Sequence, residues 1–470
     1  MAGFYRTCAL TLLVCAAQTL LAQSSDANVT VPEDIKREIA GMADDVQKLI
    51  SYLTAGAGKH QVYDRLATFT DTFGNRLAGS LTMQHAVEYM IDTMKHDGLD
   101  NVHGEPAMVP NWIRGLESAT LLEPRVQNLA MLGLGLSVGT PRNGLTADVL
   151  VVNSFDELHN RSSEAKGKIV VFNQDWVSYG VSVQYRGNGA SEAAKVGAIA
   201  ALVRSVTPFS INSPHTGAMT YQDGIEKIPT ACITVEDAQM LARMQARGTR
   251  ISIRLHMDAA LDGEVQSMNT VAEVKGTTHP DEIVLVSGHL DSWDVGQGAM
   301  DDGGGAFISW QALSAVRALG LRPKRTMRAV LWTGEEFGGF GSDHYYNDHK
   351  NDSNNMDIVM ESDSGVFQAT GLRFTGSKEA KAIVTEIMKY MAPFNASTVF
   401  DGADGTDIDW WFKNGVPGGS LDNENEKYFY FHHSNGDTMT VLDPDEMDVC
   451  AALWAVASYC IANLDSMLPR

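Results

Sequence analysis

The sequence has few cysteines. It contains five, and two of them, Cys8 and Cys15, lie in an N-terminal segment that we expect to be removed. The remaining Cys232, Cys450 and Cys460 are too few for a disulfide framework. Cys450 and Cys460 are predicted to share one helix, in which ten residues rise about 15 Å, too far for a disulfide between them. A large apolar core must therefore hold the fold.

Positive charge and long apolar runs are also scarce. Lysine and arginine number 36 against 58 acidic residues, which gives a net charge of -22. A surface this acidic repels phosphate backbones, so nucleic acid is excluded as an expected partner. After the N-terminus no run reaches about 18 uninterrupted apolar residues, so no membrane span is predicted.

The N-terminus is typical of a secreted protein. Arg6 precedes an apolar stretch at residues 8–17, and small residues follow, which predicts a signal peptide over residues 1–22. The polar residues 23–44 are a candidate propeptide. Four Asn-X-Ser/Thr triplets fit secretion. The candidate glycosylation sites are Asn28, Asn160, Asn351 and Asn395. We therefore expect a secreted or lumenal protein, with the choice between the lysosome and the cell exterior left open.

The length of 470 residues and the pattern along the chain predict two domains. Short apolar runs bounded by turn residues fill residues 117–268, which predicts a mostly β insert with one or two helices, one of them at Ser191–Val196. From residue 281 strands alternate with helices, which predicts an α/β sandwich around a largely parallel sheet. The insert thus divides the main domain into residues 45–116 and 269–470.

Acidic and imidazole side chains follow successive predicted strands. The segments are His289-Leu290-Asp291, Gly298–Gly305 with Asp301, Gly334-Glu335-Glu336, Glu361-Ser362-Asp363 and, later, His432-His433. Each alone has an ordinary explanation, such as a helix cap or a solvated pair. Because sites in open α/β sheets form at the carboxyl ends of the strands, the segments together predict a metal site. Imidazoles and carboxylates without thiolates suit catalytic zinc, and two metals about 3.5–4 Å apart can share a carboxylate.

These motifs resemble a known family. The runs Ser287–Gly303, Thr333–Glu336, Glu361–Asp363, Gly405–Asp407 and His432–Thr438 are similar to the signature of the co-catalytic two-zinc family of bacterial leucyl aminopeptidases and glutamate carboxypeptidase II. The segments Gly167–Val171, Gly197–Ala200 and Ile228-Pro229 resemble, more loosely, a protease-associated domain. The resemblance covers nearly the whole mature chain. It implies the zinc exopeptidase fold, a three-layer α/β sandwich around a largely parallel sheet, with an inserted protease-associated-like domain.

The resemblance also implies the metal ligands. His289 and Asp363 would bind one zinc, Glu336 and His433 would bind the other, and Asp301 would bridge both. The expected cofactor is therefore two Zn²⁺ per chain.

Other roles follow from the same resemblance. Glu335 would be the general base, and Asp291 would stand behind His289 and fix its tautomer. Asp302 follows the bridging residue at a peptide bond that is cis in relatives. The segment Ser342-Asp343-His344 departs from the pattern and is placed at the rim of the pocket.

We therefore expect a zinc-dependent metallo-exopeptidase, a carboxypeptidase or dipeptidase, that hydrolyses dipeptides or short peptides with metal-activated water and Glu335 as base. The insert should restrict the site to short substrates, and a homodimer is implied by the resemblance. Three alternatives stay open. An aminopeptidase of the same fold shares every ligand. A non-catalytic receptor-like relative is disfavoured by the intact ligands, and a glutaminyl cyclase-like enzyme would use one zinc.

Overall fold

The computed structural model describes residues 29–470, so the predicted signal peptide and Asn28 lie outside the described residues. Two eight-stranded sheets carry the fold. In chain order the strands are β1 (Asp100–Ile113), β2 (Glu117–Glu123), β3 (Gln127–Leu129), β4 (Met131–Gly133), β5 (Leu145–Val152), β6 (Ile169–Phe172), β7 (Ala200–Arg204), β8 (Thr230–Ile233), β9 (Ser252–Met257), β10 (Ala260–Val274), β11 (His279–His289), β12 (Arg325–Trp332), β13 (Met356–Glu361), β14 (Ala369–Thr375), β15 (Thr398–Asp401) and β16 (Gly418–Asn423).

Helices flank both sheets. In chain order they are α1 (Glu33–Gly41), α2 (Ala43–Thr54), α3 (Gln61–Phe73), α4 (Leu81–His96), α5 (Phe155–Asn160), α6 (Ser162–Ala165), α7 (Tyr179–Lys195), α8 (Val235–Ala246), α9 (Gly304–Ala318), α10 (Phe340–His349), α11 (Lys378–Met388), α12 (Asp409–Lys413), α13 (Tyr428–Phe431) and α14 (Pro444–Asn463). In the described part of the chain, none of them combines the length and the apolar character that crossing a membrane would require.

The first sheet has the strand order β1-β10-β12-β11-β13-β16-β14-β15. Its middle strands β12, β11, β13 and β16 are parallel to their neighbours in this group. Side chains alternate between the two faces of a strand. Val284 and Val286 accordingly join one core with α9 and α14, whereas Ile283 and Leu285 join the other core with α10 and α12. These layers form the predicted three-layer α/β sandwich.

The second sheet is built by strands between residues 117 and 257. Its order is β3-β2-β9-β5-β6-β7-β8-β4, with β5 to β8 parallel. The helix predicted at Ser191–Val196 is the end of the much longer α7. Gly180, Gly187 and Gly189 lower the helix propensity of its earlier part, which concealed it in the sequence.

The change from one sheet to the other comes between β9 and β10. The predicted boundary at residue 268 falls inside β10, which pairs with β1 and β12 of the first sheet. A strand pattern continues through the change of sheet, so strand-forming residues alone did not reveal where the insert ends.

Helix α1 lies within the candidate propeptide and packs against the main domain. Tyr390 Oη donates a hydrogen bond of 2.7 Å to the main-chain oxygen of Ile39. Lys324 Nζ lies 3.2 Å from Glu38 Oε1. A cut after residue 44 would remove these contacts, and the propeptide stays a prediction.

Candidate metal centre

Five side chains meet at the carboxyl ends of the parallel strands. His289 Nε2 lies 3.5 Å from Asp301 Oδ1 and 3.3 Å from Asp363 Oδ1. His433 Nε2 lies 3.2 Å from Asp301 Oδ2 and 2.9 Å from Glu336 Oε2. Asp301 therefore lies between two pairs, each made of one imidazole and one further carboxylate.

The donor set fits a metal ion. His289 Nε2 and Asp301 Oδ2 are buried and have no hydrogen-bond partner within residues 29–470. Leaving such atoms unpaired is costly, so each calls for an explanation, and a bound cation supplies one. Nitrogen and oxygen donors from His289, Asp301 and Glu336 also lie within 4.8 Å of one another. Imidazole and carboxylate without thiolate is the donor set of catalytic zinc.

The pKa values of the carboxylates in the centre are also consistent with a metal site. Burial raises the pKa of Glu336 to about 8 and that of Asp363 to about 7. Burial also acts to raise the pKa of Asp301, but the imidazoles of His432, His289 and His433 outweigh it and hold this pKa well below its usual value. A dication at the centre would favour the ionised form of all three carboxylates.

Asp437 orients the segment that carries Asp301. Its carboxylate accepts hydrogen bonds from the amides of Ala299 (3.0 Å), Met300 (2.8 Å) and Asp301 (3.3 Å). These residues lie in the short kinked segment before α9, in which Asp301 has non-helical backbone angles. Asp437 belongs to a motif that the sequence analysis noted, but no role was predicted for it. Only the fold shows that its carboxylate lies next to the backbone amides just before α9.

Asp302 holds His289 from behind. Its Oδ2 accepts a hydrogen bond of 3.0 Å from the amide of His289, and its Oδ1 accepts one of 3.0 Å from the amide of Gly305. The Asp301–Asp302 peptide bond is cis, as the resemblance implied.

Asp291 acts differently from the expectation. His289 Nδ1 lies 2.9 Å from the main-chain oxygen of Asp291 but 3.8 Å from its carboxylate. The carboxylate instead accepts hydrogen bonds from the amides of Glu335 (3.2 Å) and Glu336 (3.4 Å). The main-chain carbonyl therefore orients the imidazole, and the carboxylate positions the segment that carries the two glutamates.

Glu335 and Glu336 are adjacent but differ in environment. The side chain of Glu336 is 3% exposed and contacts His433, whereas that of Glu335 is 14% exposed. Glu335 Oε2 lies 3.8 Å from His289 Nε2. The Glu336 carboxylate is thus enclosed in the centre, and the Glu335 carboxylate lies at its edge.

Both the sequence and the fold of the chain match known proteins. The model of peptidase family M28 matches residues 269–458. The chain is 57% identical to carboxypeptidase Q of Pongo abelii and 56% identical to that of Homo sapiens, over 93% of each chain. The crystal structure of a peptidase M28 precursor from Shewanella amazonensis is 32% identical, with a TM-score of 0.88 over 92% of this chain and 99% of that one. The chain belongs to peptidase family M28.

A zinc aminopeptidase from Bacillus subtilis shows the same fold, with 18% identity and a TM-score of 0.66 over 87% of this chain and 98% of that one. The family confirms the predicted zinc exopeptidase fold and the predicted class, a zinc-dependent metallo-exopeptidase. The site residues of this M28 peptidase are not tested by these matches, and their roles stay predictions.

The insert of this M28 peptidase reaches the metal centre. Thr216 donates its amide to the main-chain oxygen of His433 at 2.9 Å, and its own carbonyl oxygen lies 3.2 Å from His433 Nδ1. His215 Nδ1 lies 2.6 Å from the main-chain oxygen of His432. Arg186 Nη1, from α7, lies 3.3 Å from His433 Nδ1. Sequence reasoning missed these residues because more than two hundred positions separate them from the His432-His433 loop and no local pattern links them.

His432 is the second imidazole of the predicted pair. Its ring stacks on that of His433 with centroids 3.5 Å apart. Its Nε2 lies 3.6 Å from Asp301 Oδ2. Glu336 Oε2 lies 2.9 Å from His433 Nε2, and the choice of His433 as the ligand stays a prediction.

An aromatic cluster joins the insert to the main domain. Trp293 packs against Trp112, Phe337 and His433, with ring centroids 5.6–6.3 Å apart. A Cβ atom on Gly135, in the insert, would lie only 2.0 Å from the Trp293 ring. The insert and the main domain therefore share one apolar cluster beside the metal centre.

A buried ion pair reinforces this junction. Arg114 donates to both carboxylate oxygens of Asp294, at 2.7 and 2.6 Å. It also donates to the main-chain oxygen of Gly133 in the insert. Arg114 thus ties the loop that contains Trp293 to the insert.

The segment Ser342-Asp343-His344 lies near the start of α10 and helps to hold that helix in place, and its place at the pocket rim stays a prediction. Asp343 accepts a hydrogen bond from Trp410 Nε1, and His344 Nε2 accepts one of 3.3 Å from the amide of Met108. These contacts fix α10 against α12 and β1. The glycosylation sites Asn160, Asn351 and Asn395 are all exposed and stay predictions.

Proposed function

We propose that this M28 peptidase is a two-zinc carboxypeptidase that hydrolyses dipeptides and short peptides. The observation that carries the proposal is the position of Asp301 between two pairs of ligand side chains. His289 and Asp363 would hold one zinc, and Glu336 and His433 would hold the other. Asp301 would contribute one carboxylate oxygen to each.

Zinc, when bound, acts as a Lewis acid that polarises a carbonyl and brings the pKa of water toward neutrality. Glu335 is the group in the chain that moves protons. Its carboxylate stands at the edge of the centre, partly exposed and outside both ligand pairs. It accepts the proton of the attacking water and delivers it to the nitrogen of the departing amine. The Asp291 carboxylate holds the Glu335 amide and so orients this base.

Arg186 supports recognition of the substrate's C-terminus. It is 7% exposed, and its Nε has no hydrogen-bond partner in the described chain. Its hydrogen bonds go to Tyr179 Oη and the Thr216 carbonyl, and neither group carries a negative charge. A buried guanidinium without a counter-ion is costly, and guanidinium is well suited to binding carboxylates.

The tautomer of His433 leaves Arg186 available for this role. If His433 binds zinc through Nε2, its Nδ1 carries the proton and donates to the Thr216 carbonyl. Arg186 then has no acceptor on the imidazole 3.3 Å away. A substrate carboxylate would provide the acceptor and the counter-charge. This favours a carboxypeptidase or dipeptidase over an aminopeptidase, in keeping with the name of the relatives described above, carboxypeptidase Q.

The insert supports a preference for short substrates. Thr216 and His215 contact the main chain of the His432-His433 loop, so the insert covers one side of the centre. An internal segment of a folded protein would need the insert to move away.

We also propose that the enzyme works outside the cytosol, in a secreted or lumenal form. The predicted signal peptide and the exposure of Asn160, Asn351 and Asn395 support this. The homodimer implied by the resemblance is likewise a proposal.

Digestion of a peptide library by the zinc-loaded protein, with products identified by mass, tests the function. We expect release of C-terminal residues and complete hydrolysis of dipeptides. Release from the N-terminus alone would identify an aminopeptidase. No cleavage would support a receptor-like relative, and cyclisation of N-terminal glutamine would indicate a glutaminyl cyclase. Internal cleavage of folded proteins would contradict the covering role of the insert.

A further inference from the structure

Arg76 is buried in the loop between α3 and α4, with none of its surface exposed. Within the described chain, every hydrogen bond of its guanidinium goes to a main-chain oxygen and none goes to a carboxylate. The Gly74 oxygen, 2.9 Å from Nη1, belongs to the same loop, and the other three acceptors lie outside it. A buried guanidinium without a directly bonded counter-ion is costly, so its position calls for an explanation.

The other three acceptors lie in two segments of the metal centre. Nε donates to the main-chain oxygen of Leu290 at 2.8 Å, and Leu290 follows His289 directly. Nη1 donates to the oxygen of Gln297 at 2.6 Å, and Nη2 donates to that of Gly298 at 2.8 Å. Gly298 directly precedes the kinked segment that contains Asp301. One guanidinium therefore joins the segment of a proposed zinc ligand to that of the proposed bridging ligand.

The two segments also pack tightly at this point. The Arg76 amide donates to Ser292 Oγ at 2.9 Å, and the Arg76 oxygen accepts a hydrogen bond from the Ser292 amide at 3.1 Å. Gly298 has φ +56°, and a Cβ atom there would lie 2.3 Å from Ser292 Cβ and 2.9 Å from Arg76 Nη2. Glycine is therefore required at this position, and Arg76 fills the space between the two segments.

Arg76 and Asp437 bind opposite polar groups of the segment that carries Asp301. Arg76 holds the main-chain oxygens of residues 297 and 298, and Asp437 holds the amides of residues 299–301. Burial lowers the pKa of Arg76 to about 10, and the nearby charge of Asp437 opposes this shift, so the guanidinium stays cationic at neutral pH. A cation and an anion thus fix consecutive peptide groups beside the proposed bridging ligand.

We infer that Arg76 is a positioning residue that sets the separation between His289 and Asp301 before zinc binds. The inference rests on the proposed function, since it concerns the same two-zinc centre. The zinc held by His289 would depend on both segments, whereas the zinc held by His433 would depend only on the segment of Asp301. Loss of the guanidinium should therefore weaken the first of these sites more than the second.

Arg76→Lys is the variant that tests this role. It keeps the positive charge but replaces a planar fork of five donors by one flexible ammonium group, which cannot hold both segments in the same geometry. Arg325→Lys is the matched control, because Arg325 is almost equally buried and also donates to a main-chain oxygen, that of Leu464. Arg325 begins β12, about 23 Å from the end of that strand at which the centre lies.

Zinc affinity is read from the free energy of unfolding in denaturant, measured at a series of free zinc concentrations set by a chelating buffer. Bound zinc stabilises the folded chain once free zinc exceeds Kd. A purely structural defect lowers the free energy of unfolding equally at every zinc concentration, whereas weaker binding shifts the onset of stabilisation to higher zinc. Elemental analysis at each concentration counts the ions that remain bound per chain.

We expect Arg76→Lys to weaken binding of one zinc per chain about 10-fold to 100-fold, the usual effect of replacing a residue behind a metal ligand, with a smaller effect on the other zinc. Arg325→Lys should lower the free energy of unfolding but change the Kd for zinc by less than about 2-fold, because the two positions are far apart. An unchanged onset of stabilisation in Arg76→Lys would overturn the inference, and so would equal weakening of both ions.

Ser292→Ala keeps the test decisive if Arg76→Lys does not fold without metal. This smaller change removes the Oγ acceptor of the Arg76 amide. It should weaken binding of the same zinc about 2-fold to 10-fold, the contribution of a hydrogen bond. Unchanged zinc binding in Ser292→Ala would then overturn the inference.

Turnover separates this inference from the proposed function. A wild type that binds two zinc ions but cleaves no peptide would contradict the proposed function, and the comparison of Kd values would still decide the role of Arg76. An active wild type with unaltered zinc binding in Arg76→Lys would contradict the inference alone. A wild type without affinity for zinc would contradict both.

Discussion

Replacing each of the two adjacent glutamates by glutamine separates the base from the ligand. Glu335→Gln preserves the shape of the side chain but removes its capacity to accept a proton. Its Oε2 lies 3.8 Å from His289 Nε2, farther than the proposed ligands do, so we expect no ligand bond to be lost. We expect normal zinc content and a kcat lowered by about 10²–10⁴, the usual contribution of a general acid–base group.

Glu336→Gln should have a different effect. Glu336 is buried and lies 2.9 Å from His433 Nε2, so the amide would replace a charged ligand with a neutral one. Replacing residues behind a ligand already weakens metal binding about 10–100-fold, and loss of a ligand charge should cost at least as much. We therefore expect lower zinc occupancy, with activity partly restored at high zinc concentration.

Both variants are compared by elemental analysis after dialysis against buffered zinc, together with kcat and KM on a dipeptide. Glu426→Gln, which makes the same chemical change at an exposed position, is the control. Normal turnover in Glu335→Gln would exclude it as the base. Zinc loss in Glu335→Gln with full retention in Glu336→Gln would show that the two roles are reversed.

Three further predictions follow from the structure. Zinc-loaded protein should contain two zinc ions per chain by elemental analysis, and one ion per chain in fully active protein would contradict the shared role of Asp301. Removal of the zinc by a chelator should abolish activity and lower the melting temperature. Arg114→Met leaves Asp294 without its partner and should lower the free energy of unfolding by about 3 kcal/mol in denaturant titrations. The control Arg250→Met, at an exposed ion pair, should change it by less than about 1 kcal/mol, and similar losses in the two variants would show that the Arg114–Asp294 pair contributes no more than a surface ion pair. Burial raises the pKa of Asp357 to about 7, so the folded chain keeps a proton that the unfolded chain releases from about pH 4 upward, and the wild type loses stability as the pH rises from about 4 to about 7. Asp357→Asn should therefore gain stability relative to the wild type across that window, and parallel profiles of unfolding free energy against pH would refute the assignment.

The metal centre could be predicted in large part because its residues follow strands. His289 is the last residue of β11, and Glu336 and Asp363 follow within four residues of the ends of β12 and β13. These strands lie side by side and parallel, so their carboxyl ends must meet at one edge. The positions of these residues at the ends of predicted strands were therefore enough to predict that they lie close together in the fold. The family resemblance added the division of labour between the two glutamates, which strand pattern alone does not provide.

Residues outside these strand ends could not be found in the same way. Arg186 lies on a helix of the insert, and its proposed role rests on the absence of a charged partner among residues 29–470, which depends on the packing of the insert against the main domain. For Asp291, the family resemblance implied a place behind His289 but not that its main chain and its carboxylate would have separate contacts.

The shared aromatic cluster means that the insert is not a detachable module. Trp112, Trp293 and Phe337 belong to the main domain, yet they pack in the same apolar cluster as the strands of the insert. Deleting residues 117–257 would expose these rings to water beside the His433 loop. A chimera that exchanges the insert between relatives should therefore also exchange the loop around Trp293, so that the two faces of the junction remain matched.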